Sequence, residues 1–178
     1  MVEAFSHSVL FETDDGLVAF DTSNPQGGSL VVQAIRKWRP DRFNTIVYTH
    51  GHVDHVFGLR PFLAAGDRPR IIAQENCVAR FQRYTLTQGL NQAINRRQFG
   101  NDKAIFPTDF VWPTETFRDG LSLKLGGVDV DVCAAKGETD DACTIFLPER
   151  GYLFTGDLII WRAPNCGNPQ KVQRYPVE

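Results

Sequence analysis

The amino-acid sequence predicts an α/β fold built in layers. Three observations carry that expectation. Short β-rich runs alternate with helical stretches as far as Gln98, the remainder is β-rich and punctuated by turns, and neither a repeat nor a linker divides the 178 residues. A chain of this length is long enough to bury a core as a single domain over residues 1–178.

SVLFET, Asp14-Asp15-Gly16 and LVAFD read as a hairpin, because a D-G pair between β-rich runs is a strong turn signal. Gly27-Gly28-Ser29 opens a helix over LVVQAIRKW, with apolar residues at 31, 34, 35 and 38 on one face, and Pro40 ends it. TIVYT, residues 45–49, lacks polar alternation, as a strand buried on both faces requires. GLRPFLAAG follows as a short helix, and RIIAQ, 70–74, as another apolar strand. Glu75 to Gln98 is polar and helical, with a break or kink expected at Gly89. Residues 99–117, with two prolines and scattered aromatics, read as a loop. LSLKL, Gly126-Gly127 and VDVDV form a second hairpin of period two, and CTIFLP, Glu149-Arg150-Gly151 and YLFTGDLII a third.

A net charge of −2 gives no basis for binding nucleic acid through phosphate neutralisation. No apolar run approaches the roughly 18–20 residues that span a bilayer. The opening MVEAFSHSVLFE has neither the basic start nor the apolar segment of a signal peptide. A cytoplasmic protein with no membrane or nucleic-acid partner is therefore expected. Cys77, Cys133, Cys143 and Cys166 show no C-x-x-C spacing and are expected as reduced thiols. His7 lies in a polar stretch and is expected to be exposed.

THGHVDHVFG, Thr49 to Gly58, holds three of the four histidines and an aspartate within six residues. His50 and His52 point to one side if the strand direction persists, and Asp54 and His55 face a second point one turn later. Neutral imidazole with carboxylate suits zinc, manganese or iron. The end of a buried strand is also where open α/β sheets place their ligands. A solvated histidine-rich turn is the alternative, and the H-x-H-x-D-H pattern outweighs it. Gly51 and Gly58 are read as residues that let the backbone turn sharply around a ligand.

This stretch resembles the metal-binding signature of the metallo-β-lactamase-fold hydrolases, and LVAFDTS resembles that family's early strand ending in an aspartate. The resemblance implies an αββα sandwich with a centre for one or two zinc ions, manganese and iron being alternatives. It implies that His50 and His52 serve one metal and that Asp54 and His55 serve a second. Asp157, in Phe154-Thr155-Gly156-Asp157, would bridge both. The family's G-H-T histidine has no counterpart here. In Lys136-Gly137-Glu138-Thr139-Asp140-Asp141, Glu138 falls in its place, an acceptable zinc ligand that tilts preference towards manganese or iron. A glutamate there resembles the alkylsulfatase branch, as do ENCVARFQRYTLTQGLNQAINRRQFG, GETDDACTIFLPERGYLFTGDL and APNCGNPQKVQRYP.

The implied activity is hydrolysis of a small-molecule sulfate ester or related ester by a metal-activated hydroxide, with Asp54 and Asp157 as catalytic residues. The alternatives are a weak or inactive metal-binding domain acting by association, and a hydrolase of a phosphoester, thioester or lactone. An anionic substrate needs cationic donors, for which Arg80, Arg83, Arg96, Arg97, Lys171 and Arg174 are candidates, a solvated surface being the other reading of each. Phe81, Tyr84 and Phe99 line an alkyl channel or belong to the core. Thr139, Asp140 and Asp141 orient ligands or serve as caps and turns. No histidine follows His55, so the family's last ligand to the second metal is missing. The second half of the fold is therefore expected to be incomplete, in a fragment, a natural short form, or a chain completed in trans. An exposed sheet edge would then favour a homodimer.

Overall fold

The computed structural model describes residues 6–160 and 163–164. Strands β1 (Val9–Thr13) and β2 (Gly16–Phe20) form the first hairpin. β2 then runs parallel to β3 (Phe43–Val47), β3 to β4 (Arg70–Gln74) and β4 to β5 (Glu115–Phe117), giving the order β1-β2-β3-β4-β5. Parallel neighbours need long crossovers, and helices supply them. They are α1 (Pro25–Trp38), then α2 (Val53–Val56) with α3 (Leu59–Ala64), then α4 (Asn76–Leu86) with α5 (Gln88–Phe99). The second sheet is an antiparallel meander of β6 (Gly120–Leu125), β7 (Val128–Ala134), β8 (Cys143–Leu147) and β9 (Tyr152–Phe154). A two-stranded ribbon of β10 (Ile159–Ile160) and β11 (Ala163–Pro164) follows.

Period-two alternation divides the core in two. From β2, Leu17 and Ala19 face the helices and meet Val31, Ile35, Leu59, Phe62 and Phe81. Val18 and Phe20 face the second sheet and meet Val130, Val132, Ile145 and Leu147. The layers are thus helices, sheet, sheet, which is part of the expected four-layer αββα sandwich. Among the described residues no helical layer covers the outer face of the second sheet. That face carries polar pairs, Ser122 donating to Asp131 at 2.6 Å and Lys124 to Asp129 at 2.8 Å, while exposed Tyr152 and Leu153 mark the β9 edge.

Several elements differ from expectation. α1 starts at Pro25 because the Asn24 side chain caps it by accepting the Gly27 N–H. Of its apolar face only Val31 and Ile35 are buried; Ala34 and Trp38 are exposed. The helical break falls at Thr87, and Gly89 sits inside α5. β5 lies in the segment read as a loop, three residues being too few to show a period. The third hairpin stops at Phe154, after which Gly156–Leu158 turn and Ile159–Ile160 pair with Ala163–Pro164.

Gly58 is required for close approach rather than for a sharp turn. Its φ of −68° is ordinary, but a Cβ there would stand 1.7 Å from the Thr22 carbonyl oxygen. A Cβ on Gly28 would in turn stand 2.5 Å from Gly58 Cα, so α1 and the histidine loop touch backbone to backbone. Gly58→Ala is expected to cost about 3 kcal/mol, the upper end of overpacking, because backbone cannot step aside. Urea denaturation measures it; a variant as stable as the parent would show that the two segments have room.

Candidate metal centre

Loops from both sheets bring the donors together. Thr49 to His52 leave the end of β3, and His52 is the residue before α2, which carries Asp54 and His55. Glu138 comes from the β7–β8 connection and Asp157 from the turn after β9. His50 Nε2 lies 3.0 Å from His52 Nδ1 and 3.5 Å from Glu138 Oε2, and His52 Nδ1 lies 3.0 Å from that oxygen. Donors about 2.0–2.1 Å from a tetrahedral ion stand about 3.3 Å apart, so this triangle has the size of one face of such a site. Glu138 Oε2 is buried and makes no hydrogen bond despite its neighbours. The two nitrogens and the oxygen converge on a shared point. These donors fit a divalent metal.

A second group adjoins the first. His55 Nε2 is 3.4 Å from Asp54 Oδ2 and 3.4 Å from Asp157 Oδ2, and His50 lies within reach of His55 and Asp157. The six sequence-predicted ligands lie in one neighbourhood: His50, His52 and Glu138 form one group, His50, His55 and Asp157 the other, and Asp54 adjoins the second through His55.

The electrostatics suit a cation. Burial lowers the His50 pKa, helped by neighbouring His55, which favours the neutral imidazole that a metal requires. For His55 burial acts in the same direction, but Asp21, Asp157 and Asp54 overcome it and push the pKa well above the ordinary value. Burial would raise Glu138 and Asp157, yet the adjacent imidazoles of His50 and His52, and of His55, hold both below the usual carboxylate range. Carboxylates gathered this way retain positive charge, whether a proton or a metal supplies it.

Three residues support the ligands; Asp21 and Ser6 carry no assigned role in the sequence reading, and Asp141 is read there only as orienting ligands or serving a turn. Asp21, buried and in the left-handed region at φ 57°, takes three bonds. Its Oδ1 accepts the Thr49 N–H at 2.7 Å, and its Oδ2 accepts Thr49 Oγ1 at 2.6 Å and His55 Nδ1 at 2.7 Å. That last bond fixes the His55 tautomer and leaves Nε2 facing the ligands. The signal was the aspartate of LVAFDTS. Ser6 Oγ lies 3.3 Å from His55 Nε2, with no motif to announce it. Asp141, one of the residues read as orienting ligands or serving a turn, clasps two loops. Its Oδ2 accepts the Gly51 N–H at 2.7 Å, between His50 and His52, and its Oδ1 accepts Arg80 Nε at 2.6 Å. A Cβ on Gly51 would stand 2.9 Å from Asp141 Oδ2, so this glycine too serves close approach.

The predicted cationic donors are dispersed. Arg80 is only 7% exposed and is turned onto Asp140, Asp141 and the Tyr84 hydroxyl. Arg83 is exposed, its guanidinium 5.2 Å from the centre of the Tyr84 ring, and Tyr84 stacks on His52 at 6.4 Å. Arg97 is exposed, and Arg96 donates to the Ala104 carbonyl. Lys171 and Arg174 lie outside the described residues, as does Cys166. Phe81 is core, stacked on Phe110 at 4.1 Å, and Phe99 is exposed. Cys77, Cys133 and Cys143 are free thiols, and His7 is exposed.

Comparison with known proteins follows the same lines. A linear primary-alkylsulfatase from Pseudomonas sp. (strain ATCC 19151) is 27% identical over 175 residues, covering 84% of this chain and 32% of that protein. A metallo-beta-lactamase type 2 from Bacillus cereus is 24% identical over 155 residues, covering 86% of this chain and 51% of that protein. The chain thus spans about a third of the length of the first relative and about half of the second. Its fold is similar to a solved double mutant of the sec-alkyl sulfatase PisA1, with a TM-score of 0.71 at 20% identity over 85% of this chain and 28% of that one. With residues 2–165 matching the metallo-beta-lactamase superfamily, the chain belongs to that family.

Proposed function

We propose that the chain is a metal-dependent hydrolase of a sulfate ester, or of a related small-molecule ester, acting in the cytoplasm. The observation that carries this reading is the convergence of His50, His52 and Glu138 beside Asp54, His55 and Asp157. The first three would hold one ion and the second three another, as zinc, manganese or iron. Such ions lower the pKa of a coordinated water to about 7 and so supply hydroxide at neutral pH. Asp54 and Asp157, each partly open to solvent, orient the attacking water by accepting its O–H. Arg83, its guanidinium over the Tyr84 ring that stacks on His52, would be the candidate donor to an anionic ester group. Glu138 in a histidine position and the alkylsulfatase among the relatives support the sulfate class.

Metal content per chain, measured beside turnover of alkyl sulfate, phosphoester, thioester and lactone substrates, tests the reading. Two ions per chain with sulfate-ester turnover are expected. At most one loosely held ion and no turnover would sink it, and turnover confined to another ester would move the substrate class. Glu138→His is expected to keep metal and shift preference from manganese or iron towards zinc; unchanged preference and activity would remove Glu138 from the ligand set. The exposed β9 edge, with Tyr152 and Leu153 in solvent, favours a second reading in which the domain binds metal and acts by association, as a homodimer. That reading predicts metal without turnover.

A further inference from the structure

Helix α5 is packed inside out. Three of its polar side chains face the protein: Gln88 Nε2 donates to the Phe106 carbonyl at 3.1 Å, Gln92 Oε1 accepts the Phe106 N–H at 3.3 Å, and Arg96 Nε donates to the Ala104 carbonyl at 2.8 Å. Spaced four apart, these three define the inner face. The apolar residues turn the other way. Leu86, closing α4, is 86% exposed, Leu90 62% and Ile94 40%, with Ala93 exposed between them, and α5 buries no residue at all. A surface helix ordinarily does the reverse, so water is not the medium that stabilises this face.

Charge identifies the medium. From Asn76 to Asn101 the chain carries no aspartate or glutamate, and of its four arginines Arg83 and Arg97 are exposed while Arg80 and Arg96 turn inward. Exposed Arg83 stands one turn before Leu86, and exposed Arg97 one turn beyond Ile94. Antiparallel pairing of two copies would set Arg83 of one against Arg97 of the other, a repulsive arrangement. Leucines exposed to this degree also project from the surface, whereas the walls of a groove that receives a peptide are sheltered. Projecting leucines between arginines match an anionic interface, where apolar groups sink about 5–10 Å and guanidiniums reach phosphate oxygens.

We propose that the ridge of Leu86, Leu90 and Ile94, flanked by Arg83 and Arg97, docks the protein on an anionic lipid surface. This is lying on a membrane, not crossing one: among the described residues no helix is long and apolar enough to span. The docking requires nothing of the hydrolase reading. It does place the metal centre near the interface, since Tyr84, two residues before Leu86, stacks on His52.

Co-sedimentation with phosphatidylglycerol vesicles, and separately with phosphatidylcholine vesicles, tests it. Binding to the anionic vesicles alone is expected, weakening as salt is raised. Arg83→Gln with Arg97→Gln should weaken it by about 25-fold, about fivefold for each charge removed. Leu90→Gln with Ile94→Gln should weaken it by about tenfold or more, and Leu86→Gln, at the most exposed position, repeats that test with least risk to folding. No binding to the anionic vesicles, or equal binding by parent and variants, overturns the proposal. A lipid-free dimer that Leu90→Gln with Ile94→Gln dissociates, without vesicle binding, overturns it in favour of a second copy.

Discussion

Asp157→Ala is expected to lose the ion held by its own donor group, about half of the metal that the protein binds, while His50, His52 and Glu138 keep theirs. The carboxylate sits in the turn after β9 with Oδ2 3.4 Å from His55 Nε2, and it is the one donor the second sheet contributes to that group. Without it Asp54 and His55 remain, two donors for an ion that takes at least three from a protein. Loss of a residue that only supports a ligand costs about 10–100-fold in metal affinity, so loss of a ligand should exceed the upper figure. Elemental analysis after gentle purification, with chelator competition, measures it. Asp157 is partly exposed and lies outside the core, so the melting temperature of the metal-free protein should barely move. Undiminished metal would take Asp157 out of the ligand set.

Asp141→Ala should act on stability instead, at about 3–5 kcal/mol, the range for breaking a buried ion pair from one side. Arg80 would keep its charge in the interior with only the half-exposed Asp140 to pair it, and the Gly51 N–H would lose its acceptor. Asp141→Asn retains an oxygen for Gly51 and should cost less. The pair also fixes the pH response. Burial alone would raise the Asp141 pKa, but Arg80 holds it below the ordinary carboxylate value. A native pKa lower than the unfolded one, about 3.9, gives stability that is complete above that value and lost as pH falls through the native pKa. Acid titration of denaturation midpoints should therefore show the parent losing stability below about pH 4 and Asp141→Asn losing less. Parallel acid profiles would separate Asp141 from the effect.

The first ligands were legible because three imidazoles within six residues, directly after an apolar run, are rare in an ordinary turn. His50 to His55 announce themselves, and Glu138 and Asp157 stand out by family resemblance. Asp141 was visible as a residue but not as a clasp, since its partner Gly51 lies 90 positions away and a backbone N–H leaves no mark in a sequence. Arg80 misled for a related reason. Arg80 and Arg83 look alike in the sequence, and Asp141 arriving from the second sheet draws Arg80 inward while Arg83 stays exposed. The strands of the second sheet were clear from alternation. β5 was not, and the break at Thr87 lost to the stronger sequence signal of Gly89, which sits unstrained inside α5.

The donors enter from the ends of β3, β7 and β9, so the first and last of them are 107 positions apart, from His50 to Asp157. Pairings so distant in the chain form late and slowly in folding. Neither donor group can close until the two sheets have met face to face, which makes metal capture a stopwatch for assembly. Stopped-flow refolding with a chromogenic metal indicator would time the docking of the sheets, while circular dichroism would register the helices long before.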